Sequence, residues 1–143
     1  VTDAVISVWG AGRVGMHLAP RCESHSMGDS DPLTTFTYVA RELGKRKIAF
    51  ICSREIQDEN SIGSALKKAF GGVYIINQNL TQEMAENIIN KGDADAAAWG
   101  QLFIANPDLP KRFYQKSALN SPNPETFYTE GPQGYTDYEA VLA

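Results

Sequence analysis

Two stretches of this sequence gather side chains suited to holding an anion. "INQNLT" (76–81) and "GQLFIANPD" (100–108) each follow an apolar run, and together they carry Gln78, Asn79, Gly100 and Gln101. Backbone N–H groups at a strand-ending turn suit negative charge, and a glycine lets a ligand approach the main chain closely. Gln78, Asn79 and Gln101 add neutral amide donors, so a phosphate could be hydrogen-bonded there without a formal positive charge. The plainer reading is that Asn79 and Thr81 cap a helix and Gly100 ends a strand. His17, inside "RVGMHLAP", reads as a hydrogen-bonded core residue or, pointing inward, as a donor to the polarised edge of a cofactor. Phe127 and Tyr128 in "ETFYTEG" either anchor the C-terminal tail or stack against a flat ring.

Other chemistries find no support. His17, Cys22, His25 and Cys52 lack the paired spacing of a zinc site, so dispersed, separately packed side chains are expected. No Ser-His-Asp set or Walker loop occurs. "GAGRVG" (10–15) matches G-x-G-x-x-G on paper, but it precedes a strand, whereas a dinucleotide loop must follow one and open a helix. A net charge of -4 without a basic run argues against nucleic acid and anionic membranes, leaving small molecules or proteins as partners. No apolar run reaches the ~18 residues of a membrane span, and the two cysteines fit a reducing compartment, so a cytoplasmic protein is expected.

These residues sit in a repeating frame. After an opening helix fragment, "VTDAVISVWG", come four strand-then-helix units: 13–20 with 31–43, 47–53 with 61–70, 72–77 with 81–92, and 94–100 with 106–116. Phe36, Val39, Ala40 and Leu43 repeat at helical spacing, as do Ile62, Ala65, Leu66 and Ala69. Asp31 and Thr81 read as caps, Gly92 as a terminator, and Asn106 with Pro107 as the start of the last helix. Short apolar strands separated by helices indicate a parallel α/β sheet, and both a doubly wound sheet and a (β/α)8 barrel fit the rhythm. In either, ligands bind beyond the carboxyl ends of the strands.

"GRVGMHLAP", "KGDADAAAWGQLFIANPDLPKRF" and "ETFYTEGPQGYTDY" resemble the C-terminal half of the Old Yellow Enzyme family, FMN-dependent ene-reductases built as (β/α)8 barrels. The bacterial xenobiotic reductase branch, with its nitrate-ester and nitroaromatic reductases, is the nearest in flavour. The resemblance implies that residues 1–143 form strands five to eight of a TIM-type barrel, with 117–143 as the C-terminal tail. It implies FMN phosphate at Asn77, Gln78, Asn79, Gly100 and Gln101, and His17 where an arginine usually meets the flavin's N1 and C2 carbonyl edge. Phe127 would line the flavin and Tyr128 the substrate pocket, with NAD(P)H as reductant and an electrophilic small molecule as substrate. Gln101 stands where many members carry a phosphate-binding arginine. The family's catalytic acid belongs to its first half, so no catalytic residue is assigned here.

Four parallel strands alone leave two open edges and an apolar inner face. The chain is therefore expected to be part of an FMN-dependent NAD(P)H oxidoreductase acting on activated alkenes or nitro and nitrate-ester compounds, completed by an N-terminal half. The alternatives are a non-catalytic flavin- or phosphate-binding half-barrel that self-associates or pairs with a partner half, and an inactive remnant.

Overall fold

The computed structural model describes residues 1–22 and 27–141. The chain divides into two compact units, Val1–Ala98 and Trp99–Ala143.

The first unit opens with α1 (Thr2–Trp9), ended by Gly10 at φ 79°, and a 3-10 turn (Ala11–Arg13). Three strand-helix pairs and a final strand follow: β1 (Gly15–Leu18), α2 (Pro32–Lys45), β2 (Phe50–Arg54), α3 (Gly63–Phe70), β3 (Val73–Asn77), α4 (Gln82–Asn90) and β4 (Ala96–Ala98). The strands form one sheet in the order β1-β2-β3-β4, every neighbouring pair parallel. A doubly wound sheet reverses its order at a switch point. The unbroken order is that of a (β/α) barrel segment, which settles the ambiguity of the sequence pattern.

Local signals explain where the helices begin. Asp31 accepts a hydrogen bond from Thr34 N (3.2 Å) with Pro32 at the first position, and Thr81 accepts from Met84 N (3.1 Å). Helix α3 starts at Gly63 instead of residue 61: Ser61 stays outside it, its hydroxyl donating to Glu55 Oε2 (2.9 Å) and accepting from Gly63 N (3.3 Å).

Burial alternates along the strands although the sequence does not. Ile51, Ser53, Tyr74 and Ile76 are buried, whereas Phe50, at 38% exposure, and Val73, at 47%, are exposed on the opposite face. In a closed barrel that opposite face is the packed interior, which is why apolar residues occupy it.

Glycine at 44 is dictated by packing. Gly44 lies in the last turn of α2, and a Cβ there would run into the carbonyl oxygen of Phe70 at the end of α3. Main chain cannot yield as a side-chain tip can, so Gly44→Ala is expected to destabilise the chain by about 1–3 kcal/mol despite alanine's better helix propensity. Urea unfolding measures this, and an unchanged midpoint would contradict the close packing of the two helices.

The second unit contains α5 (Gln101–Ala105), α6 (Leu109–Gln115) and the tail, with a 3-10 turn at Pro124–Thr126. The expected helix start at Asn106 is overturned: α6 begins at Leu109 after Asp108, with Pro110 in its first turn. Asn106 is fully buried, its Nδ2 donating to Leu102 O (2.9 Å) and Asn120 O (3.2 Å) and its Oδ1 accepting from Asn120 N (2.7 Å). A side chain committed to the tail in this way cannot cap a helix.

Candidate functional site

Strand register assembles the carboxyl end of the first unit. His17, Cys52, Ile75 and Ala96 form one cross-strand row, and Arg54, Asn77 and Ala98 form the row two residues further on. Side chains alternate along strands, so these residues share the face that the helices leave uncovered. His17 is therefore exposed, and makes no hydrogen bond or ion pair among the described residues. The core-histidine reading is overturned, because odd positions of β1 face away from the helices. Beside it, burial pushes the Cys52 thiol upward, which keeps that neighbour neutral.

Asn77 staples β3 to β4, its Nδ2 donating to Ala98 O (2.7 Å) and leaving a second amide hydrogen. The next two residues take left-handed backbone without being glycine: Gln78 at φ 97° and Asn79 at φ 51°. Asparagine tolerates this region, but glutamine there is strained, by about 1–3 kcal/mol. Gln78 also accepts a hydrogen bond at Oε1 from Arg54 Nε (3.1 Å). Asn79 does not cap α4, since Thr81 does.

Behind this rim lies a buried clamp. Glu55 is 1% exposed; its Oε1 accepts from Ile62 N (2.8 Å) and Arg21 Nη1 (3.4 Å), and its Oε2 from the Ser61 hydroxyl (2.9 Å). Arg21 continues to Asp58 through two hydrogen bonds (2.7 and 2.9 Å) and to Ile56 O (3.2 Å), and its guanidinium holds the Asp58 carboxyl below the usual carboxylate range. The segments after β1 and β2 are thereby tied to each other. Arg54, Glu55 and Arg21 were assigned no role by the sequence reading, which ended the second strand at Ser53. The available signal was a basic-acidic pair directly after an apolar run.

In the second unit Gly100 precedes α5, and beyond its own chain neighbours no described heavy atom lies within 4 Å of where its Cβ would stand. The segment between the last strand and the last helix thus contains a helix of its own, and Gln101 is exposed as its first residue. Further on, Phe127 is buried while Tyr128, at φ 62°, is 79% exposed. The two rings meet edge-on at 6.4 Å, and Tyr128 meets Tyr135 at 5.6 Å. Phe127 anchors the tail, and Tyr128 presents a ring and a hydroxyl outward.

Among the described residues, no group of three or more His, Cys, Asp or Glu side chains is placed to hold a metal ion, and His25 lies outside those residues. No described helix is long and apolar enough to cross a membrane.

No family model matches the chain. It is 36% identical over 148 residues to 12-oxophytodienoate reductase 1 of Oryza sativa subsp. japonica, across 96% of this chain and 39% of that protein. It is 35% identical over 151 residues to 12-oxophytodienoate reductase 2 of Arabidopsis thaliana, across 99% of this chain and 40% of that one. Among solved structures, morphinone reductase in complex with tetrahydroNAD superposes with a TM-score of 0.91 at 38% identity, covering 98% of this chain and 39% of that one. The old yellow enzyme from Trypanosoma cruzi gives a TM-score of 0.91 at 32% identity, covering 99% and 38% respectively. The chain spans about two fifths of the length of the curated relatives it matches.

Proposed function

Because the chain belongs to the Old Yellow Enzyme family, we propose that it forms the C-terminal part of an FMN-dependent NAD(P)H oxidoreductase reducing activated alkenes or nitro and nitrate-ester compounds. The observation that carries this reading is the match to morphinone reductase over 98% of the chain at 38% identity, in a structure solved with tetrahydroNAD.

The residues present fit a phosphate-bearing flavin. In the first unit Gln78 and Asn79 bring exposed or half-exposed amides to the end of β3, and Asn77 retains a donor hydrogen; in the second, Gly100 leads into α5. Gln101 adds a neutral amide and His17 an unpartnered imidazole on the interior-type face. Tyr128 supplies exposed aromatic surface for the substrate pocket, while the buried Phe127 holds the tail segment that carries it. FMN, when bound, would supply two-electron hydride-transfer chemistry between a reduced nicotinamide and an electron-poor acceptor. This chain's residues bind and orient; none is assigned the proton-donating role. A cytoplasmic location belongs to the same reading, in keeping with a sequence that has only two cysteines.

A second reading rests on the uncovered sheet face. Exposed Phe50 and Val73 on one side of the parallel sheet favour a flavin- or phosphate-binding half-barrel that pairs with itself or with a partner half. One experiment tests both. FMN is titrated into the protein, following flavin fluorescence, while sedimentation reports the association state. Saturable binding that appears only with dimer formation supports the second reading. Flavin capture only when an N-terminal barrel half is added supports the first, and no capture under either condition contradicts both.

A further inference from the structure

The carboxyl end of the sheet carries an arginine, Arg54, that no carboxylate among the described residues neutralises. Arg54 closes β2 on the uncovered face, in the row with Asn77 and Ala98. Its Nε donates to Gln78 Oε1 (3.1 Å), and it forms no ion pair among the described residues. Arg21 shows the contrast, its fork being filled by Asp58 and Ile56 O.

Gln78 is the second half of the observation. At φ 97° the backbone there favours glycine, yet the residue is a glutamine whose side chain reaches the neighbouring strand's arginine. A glycine would relieve the strain and remove the acceptor. With Nε held, the Nη1 and Nη2 edge of the guanidinium is left for a ligand, and that planar fork matches two oxygens of a phosphate.

We infer that Arg54, positioned by Gln78, binds the phosphate monoester of the flavin nucleotide and supplies the formal positive charge that the neutral amides at this end lack. The inference rests on the flavin reading above. The charge then comes from β2, beside the strand that leads into Gln78.

The test compares FMN with riboflavin, which differ only in the phosphate, by fluorescence titration of wild-type protein and variants, with circular dichroism confirming the fold. Arg54→Met is expected to raise the Kd for FMN about ten- to a hundredfold, the range of a charged hydrogen bond, while leaving riboflavin within about twofold. Arg54→Lys should recover part of the loss, and Gln78→Ala should weaken FMN in the same direction by a smaller factor. Wild-type protein that binds FMN, with Arg54→Met binding it equally well, overturns the inference alone. Equal weakening of FMN and riboflavin also overturns it, by placing Arg54 against the ring. Wild-type protein that binds neither compound, alone or with an added N-terminal barrel half, overturns the flavin reading, and the inference with it.

Discussion

Replacing Arg112 by alanine is expected to destabilise the chain by about 3–5 kcal/mol and to release the C-terminal tail. Arg112 is only 5% exposed, and each arm of its guanidinium is used. Nε donates to Asp108 Oδ1 (2.7 Å), Nη1 to Ala118 O (2.6 Å) and Nη2 to Glu139 O (2.6 Å), while Asp108 Oδ2 accepts from Val141 N (2.7 Å). Truncation would strand a carboxylate and two carbonyls that water reaches poorly, and an unmet buried group costs far more than a made hydrogen bond returns. Arg112→Lys keeps the charge without the fork, so an intermediate loss of about 1–3 kcal/mol is expected. Urea unfolding measures the energies, and limited proteolysis within 117–141 reports the tail. A tail as protected in Arg112→Ala as in wild type would contradict the argument.

The same cluster sets an acid limit. The Arg112 hydrogen bond holds the Asp108 carboxyl below its ordinary value, with a smaller contribution from the Val141 amide. A depressed folded-state value means that the stabilisation is complete above the ordinary carboxylate value and is lost as pH falls through the depressed one. Tail proteolysis should therefore increase on strong acidification.

Glu55→Ala is expected to cost about as much, about 3–5 kcal/mol, by leaving the Ile62 N–H and the Ser61 hydroxyl without their acceptor and withdrawing one partner from Arg21. Glu55→Gln preserves the shape and loses the charge, so about 1–3 kcal/mol is expected. Glu55 directly follows Arg54 and ties together the segments after β1 and β2. Both variants should therefore also weaken FMN binding, Glu55→Gln the less. A Glu55→Ala midpoint matching wild type would show that these groups find other partners.

What could be read ahead of the structure follows the range of each interaction. Asp31 and Thr81 were legible as caps because a cap joins a residue to a backbone N–H three positions on. Asn106 was misread because "NPDLP" offers two cap-and-proline pairs in succession, and the choice between them is made by Asn120, fourteen residues away. The five-residue α5 is too short to carry a periodicity. Phe127 and Tyr128 are adjacent in sequence and differ completely in exposure, since a left-handed φ at Tyr128 turns its ring outward.

The sequence by itself determined the rhythm of strands and helices, the two side-chain caps and the resemblance of the chain to a flavoenzyme family, because these depend on local propensity and on specific residue strings. Only the tertiary structure decided between a barrel segment and a doubly wound sheet, by setting the strand order. It alone showed that His17 and Arg54 share the uncovered face, and that Gln78 bears strain while holding Arg54. Register and packing between residues distant in the chain create those relations, and no window of sequence contains them.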